Sequence, residues 1–84
     1  MSYAFQIERK ALKFIQKQPP TQQRRIYAAI YKLPDAGDRK ELQGHKGVFR
    51  LRVGSYRIVY TVDNGQLIVY VVDADNRGDA YKRY

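Results

Sequence analysis

Two tight-turn signals, Gly54-Ser55 and Asn64-Gly65, constrain this chain more than any other feature. Glycine first in a two-residue loop fits a type II′ hairpin, and Asn-Gly fits a type I′ hairpin. In such hairpins the turn fixes the register, because the residues flanking the loop stand opposite each other. The first turn predicts Val53 opposite Tyr56, Arg52 opposite Arg57 and Arg50 opposite Val59. The second predicts Asp63 opposite Gln66, Val62 opposite Leu67, Tyr60 opposite Val69 and Ile58 opposite Val71. Three strands follow, at 48–53, 56–63 and 66–73. Strand side chains alternate faces with period two. Phe49, Leu51, Val53, Tyr56, Ile58, Tyr60, Val62, Leu67, Val69 and Val71 are therefore expected on one face. Arg50, Arg52, Arg57, Val59, Thr61, Ile68, Tyr70 and Val72 are expected on the other, with no cover. Like charges directly opposite in a sheet are destabilising, so the arginine cluster reads as a site for an anion.

The apolar face needs a partner layer, and the first half of the chain supplies it. Residues 3–7 alternate weakly and suit a first strand. Residues 8–18 suit a helix with Ala11, Leu12, Phe14 and Ile15 toward one side, ended by Pro19-Pro20. Thr21 is expected to N-cap a second helix, in which Ile26, Ala29, Ile30 and Leu33 follow the spacing of a buried stripe until Pro34. The short link predicts an antiparallel helical pair. Residues 35–47 read as a polar connection without regular structure. These elements predict an α+β fold for one domain, residues 1–84, with the N-terminal strand and helical pair packed on one face of a small antiparallel sheet.

Sixteen Lys and Arg against eight Asp and Glu leave a net charge of +8, which favours a polyanionic partner. The absence of cysteine excludes a disulfide framework, a thiolate metal site and a cysteine nucleophile. The longest apolar run, at 67–72, is far short of a membrane span, so a cytoplasmic protein with no membrane partner is expected. No metal ligand set and no cofactor motif appears.

The run Phe49-Arg-Leu-Arg-Val-Gly-Ser-Tyr-Arg-Ile-Val-Tyr60, then a hydrophobic strand, then Asn76-Arg-Gly-Asp-Ala-Tyr81, resembles the RelE branch of the RelE/ParE toxins. The order of elements is similar over the whole chain. The resemblance implies a RelE-like fold with a short C-terminal helical tail. It also implies a toxin of a type II toxin–antitoxin system, acting as a ribosome-dependent endoribonuclease that cuts translated messenger RNA in the A site without metal. Its partners would be the ribosome, messenger RNA and a cognate antitoxin whose disordered C-terminal segment wraps the toxin. Carried over by position, the catalytic roles fall on Arg50, Arg52, Arg57, Arg77 and Tyr81. Family members often have lysine in place of Arg50 or Arg52, and many have histidine in place of Asn76. The ParE branch acts on DNA gyrase and generally lacks the full basic set.

Arginine suits the growing negative charge of phosphate chemistry, because its planar fork binds phosphate bidentately and stays charged. It is a poor general base, and tyrosine, with a reference pKa of about 10, is a weak one. Tyr81 either serves the chemistry or anchors the tail. Tyr70 either stacks on a base or fills the sheet surface. His45, Lys46 and Asn76 are further candidate RNA contacts, and Lys10, Lys13 and Lys17 form a solvated helix face or a secondary one. Three functions are thus in play: a ribosome-dependent nuclease, a ParE-like protein-binding toxin, and a non-catalytic RNA-binding module.

Overall fold

Two short helices and one face of a five-stranded sheet bury each other's apolar stripes. The computed structural model describes residues 3–76; the expected C-terminal tail, with Arg77 and Tyr81, lies outside them. The elements are β1 (Ala4–Ile7), α1 (Arg9–Gln16), α2 (Pro20–Ile30), β2 (Asp38–Glu41), β3 (Val48–Val53), β4 (Tyr56–Asp63) and β5 (Ile68–Asp75). The strand order is β1-β5-β4-β3-β2. The α+β arrangement is the expected one, but the sheet is mixed, because β1 runs parallel to β5.

The core sits between the helices and the sheet. Ala11 and Ile15 of α1, Ile26 and Ile30 of α2, and Leu51, Ile58, Tyr60, Val69 and Val71 of the sheet are all buried in it. The helix α1 ends two residues earlier than expected. Its end is tied down by Gln18, whose Nε2 donates to the Phe14 carbonyl at 3.0 Å while its Oε1 accepts from the Tyr56 hydroxyl at 3.1 Å. Thr21 is not the N-cap of α2. Pro20 already occupies the first turn, where its missing N–H costs nothing and its φ is preset, so Pro19 becomes the cap residue. Leu33 lies beyond the helix yet remains buried, in the turn that follows it.

The β3–β4 register is the one the Gly54-Ser55 turn dictates: Val53 faces Tyr56, Arg52 faces Arg57 and Arg50 faces Val59. Gly54 takes φ +59°, the left-handed conformation such a turn requires at its first position. The second hairpin differs from expectation. Asp63 pairs with Ile68, leaving a four-residue loop, 64–67. The Asp63 carboxylate accepts the Gln66 N–H at 3.0 Å, and this local bond competes with the tight Asn-Gly turn. Leu67, expected in the core, sits in that loop at φ +57°. The shift is by two residues, so Val69 and Val71 keep their faces. A bulge then interrupts the ladder between Val59 and Tyr60: Tyr60 faces Val71, but Val59 faces Asp73. The extra residue reverses the alternation beyond it. Ala74 stands opposite Ile58, and Asp75 stands opposite Arg57.

The strand β2 corrects the expected unstructured connection at 35–47. Its sequence, Asp-Arg-Lys-Glu, has no apolar alternation, and all four residues are exposed. Backbone pairing with β3 holds it, with Asp38 opposite Arg52 and Lys40 opposite Arg50. Arg39 reaches back to the Pro34 carbonyl. A charged edge strand of this kind also discourages pairing with other chains. Gly37 admits β2 to this position: its φ is +107°, and a Cβ there would lie 2.9 Å from Leu51 Cδ1.

Two outcomes follow from this packing. Gly37→Ala is expected to lower stability by more than about 1 kcal/mol, since the new methyl needs an unfavourable φ as well as space held by Leu51. A drop in the urea midpoint at unchanged slope measures it. Tyr60 is buried and stacks on Phe49 with ring centroids 5.5 Å apart. Burial pushes its phenol pKa up, against the opposing charge and hydrogen bond of Arg39. The folded state therefore holds this proton longer than the unfolded state. Its contribution is full below about pH 10, the ordinary tyrosine value, and is lost as pH rises through the higher folded value. Tyr60→Phe should flatten the alkaline fall in the urea midpoint relative to the wild type.

Candidate functional site

The β3–β4 register brings Arg50, Arg52 and Arg57 onto one face of the sheet, opposite the face that carries the core. Arg52 and Arg57 are direct cross-strand neighbours, as expected. Their surroundings are not the uniformly basic surface that the alternation alone predicts. The register across four strands reads Asp38, Arg52, Arg57, Asp75. Each arginine of the like-charged pair thus has an aspartate at the adjacent position of its outer neighbour strand. The next row reads Lys40, Arg50, Val59, Asp73.

The cations differ in their setting. The Arg50 side chain is only 14% exposed, and its Nη1 donates to Asp38 Oδ1 at 3.1 Å and to the Asp38 carbonyl at 3.2 Å. Arg52 is about half exposed, with Nε 3.8 Å from Asp38 Oδ2. Arg57 is half-buried; its Nη1 makes a long contact, 3.5 Å, to the Tyr56 carbonyl. Its Nε is buried and has no hydrogen-bond partner among the described residues. A buried N–H without an acceptor costs about 1–3 kcal/mol, a deficit that an anionic oxygen docking there would remove.

The face is also less open than the sequence predicts. Val59 is fully buried although it lies outside the core cluster, and Asp73 and Asp75 are buried as well. Long arginine stems can cover an apolar strand position while their heads stay wet. Asp73 accepts its neighbour Ala74's N–H at 2.9 Å and lies 3.4 Å from Lys10 Nζ. Lys10 is therefore an ion-pair partner between α1 and β5, and not simply part of a solvated helix face.

The other expected residues are spread along the sheet. Asn76 is exposed and directly follows Asp75, so the chain leaves β5 beside the Arg52–Arg57 row. Tyr70 is half-buried and faces Thr61, four residues along β4 from Arg57. That is about 13 Å along the strand, so Tyr70 does not join the arginine cluster directly. His45 and Lys46 lie in the turn before β3, at the same end as Tyr70; His45 is half-buried and Lys46 exposed. The turn is closed by the Val48 N–H donating to the His45 carbonyl at 3.1 Å. Arg77 and Tyr81 fall outside the described residues. Sequence reasoning missed Asp38 and Asp75. Nothing in the Asp-Arg-Lys-Glu run marked a strand, and the bulge that turns Asp75 toward Arg57 has no signal in the alternation.

No helix among the described residues is long and apolar enough to cross a membrane. A family model for the ParE toxin of the type II toxin–antitoxin system parDE matches residues 4–81. A comparison with curated proteins gives no match. Among solved structures, the chain is similar to the archaeal RelE–RelB complex from Pyrococcus horikoshii. The identity is 25%, the TM-score 0.75, and the match covers 95% of this chain and 100% of that one. It is similar in fold to the RelBE2 toxin–antitoxin complex of Mycobacterium tuberculosis, at 23% identity and TM-score 0.75, covering 92% of this chain and 100% of that one. It is likewise similar in fold to the isolated E. coli RelE toxin, at 19% identity and TM-score 0.76, covering 98% of this chain and 94% of that one. The matched family over nearly the whole length, together with this shared architecture, means that the chain belongs to the RelE/ParE family of toxins of type II toxin–antitoxin systems.

Proposed function

We propose that this toxin is a metal-independent, ribosome-dependent endoribonuclease that cleaves translated messenger RNA in the A site and so inhibits translation. The observation that carries the reading is the placement of Arg50, Arg52 and Arg57 on one face, with the buried Nε of Arg57 lacking a partner among the described residues. Cleavage forms a bond from the ribose 2′-oxygen to phosphorus and breaks the bond to the 5′-oxygen in line with it. Negative charge grows on the non-bridging oxygens as this happens. Guanidinium groups already held in the sheet meet that charge with little reorganisation, which is where most electrostatic catalysis arises. In this reading Arg50, Arg52 and Arg57 hold the phosphate, and Arg77 and Tyr81 complete the site from the segment after β5. Tyr81 or a group of the ribosome accepts the 2′ proton, and the departing 5′-oxygen takes up a proton from water or the ribosome. Lys46, His45, Tyr70 and Asn76 extend the RNA track along the same sheet. The set contains no strong base at neutral pH, so alignment of the substrate by the ribosome supplies much of the rate.

The cognate partner in this proposal is an antitoxin with an acidic, disordered C-terminal segment that folds on the toxin. The net charge of +8 and the toxin–antitoxin complexes among the structural neighbours support it. A second reading has one specific observation in its favour: the matching family model is that of ParE toxins. In that reading the chain binds DNA gyrase and cuts no RNA.

Induced expression followed by mapping of messenger RNA ends separates the two. Cuts within translated codons, lost when the start codon is removed, are expected; intact transcripts with impaired gyrase would favour the second reading. Arg57→Ala is expected to abolish toxicity while keeping a cooperative unfolding transition. Ile58→Ala, which truncates a fully buried side chain, should instead cost about 2–5 kcal/mol and remove toxicity by unfolding. Circular dichroism melts of both variants distinguish the site from the scaffold.

A further inference from the structure

We propose that Asp38 is a built-in counter-anion of the arginine cluster, which a phosphate must displace to engage Arg50 and Arg52. The inference deepens the reading of the cluster as a phosphate site and rests on it. One carboxylate spans two guanidinium groups: Oδ1 lies 3.1 Å from Arg50 Nη1 and Oδ2 lies 3.8 Å from Arg52 Nε. One anion thus sits between two guanidinium groups, a position that the several oxygens of a phosphate could also occupy. Asp38 is delivered there by the ladder, directly opposite Arg52, and Gly37 before it allows the close approach of β2 to Leu51.

The surroundings make the contact exchangeable. The Asp38 side chain is 54% exposed and that of Arg52 47%, so an incoming anion can reach both without opening the core. The strand that carries Asp38 is four residues long and none of its residues is buried, so the carboxylate can turn away without unpacking the core. Arg50 is the opposite case. It is mostly shielded, and its Nη1 donates to the Asp38 carboxylate and to the Asp38 main-chain carbonyl. A phosphate that replaces the carboxylate therefore inherits a preset donor. Anions unable to bridge both arginines gain too little to displace Asp38, so the aspartate selects for a bridging phosphate over scattered surface charge.

The test compares the wild type with Asp38→Asn, using Asp35→Asn as a control. Asp35 is three residues upstream, exposed and outside the arginine rows, so its loss changes net charge equally. Binding of inorganic pyrophosphate and of a short single-stranded oligoribonucleotide is measured for each. Asp38→Asn is expected to bind both probes about two- to five-fold more tightly, the range that release of a partly exposed ion pair allows. Asp35→Asn should change little, and adding Arg52→Ala to Asp38→Asn should cancel the gain. Asp38→Ser, with a thermal melt for each protein, serves as the second variant should the amide disturb β2. Equal effects of Asp38→Asn and Asp35→Asn, or no gain in either, would overturn the role of Asp38. A gain for both probes without cuts in messenger RNA would keep Asp38 as counter-anion and remove the nuclease reading instead.

Discussion

The pairing of β3 with β4 is the interaction on which the rest of this molecule depends. Its ladder places Leu51, Val53, Tyr56, Ile58 and Tyr60 toward the helices and, by the same alternation, Arg50, Arg52 and Arg57 away from them. A slip of one residue would exchange the two sets, burying three guanidinium groups and exposing the core. The register is fixed at the turn, where Gly54 takes a conformation that other residues resist. It is fixed again by the core, since Ile58 and Leu51 have no other place from which to meet Ile15, Ile26 and Ile30. Core and candidate site are thus two sides of one constraint.

The charge pattern shows how a fold can hold such a cluster. Arg52 opposite Arg57 is unfavourable in isolation. In the sheet the pair is bracketed by Asp38 on one side and Asp75 on the other. The repulsion is therefore a weaker argument for function than it is for an isolated hairpin. What argues for a site is the uneven satisfaction of the cations: Arg50 Nη1 is engaged by Asp38, Arg52 is half open, and Arg57 keeps a buried donor unpaired among the described residues. An anion of modest size would complete that arrangement.

The family spans toxins with different targets on one architecture, so the fold alone does not choose between them. Here the family model points to the ParE name, and the architecture is shared with RelE toxins. The basic face on β3 and β4 is the feature on which the proposed phosphate chemistry rests. Lys10, reaching the buried Asp73 from α1, belongs to the scaffold: it ties the helix to the strand just past the bulge, from which the chain continues toward Asn76.

The sequence by itself determined the strands at 48–53 and 56–63, their register, the two helices and the face shared by Arg50, Arg52 and Arg57. Those features follow from local rules, a glycine at a turn position and apolar residues at period two or 3.6, which act between near neighbours in the chain. The motif around Tyr56 and Arg57 pointed to the toxin family for the same reason. Only the tertiary structure decided the rest. It recruited Asp-Arg-Lys-Glu as an edge strand, because backbone hydrogen bonds to β3 need no apolar pattern. It widened the second hairpin through the Asp63 side chain and placed β1 parallel to β5. It also inserted the bulge that set Asp75 opposite Arg57. Each of these depends on which backbone groups find partners far along the chain, and side-chain periodicity carries no record of that.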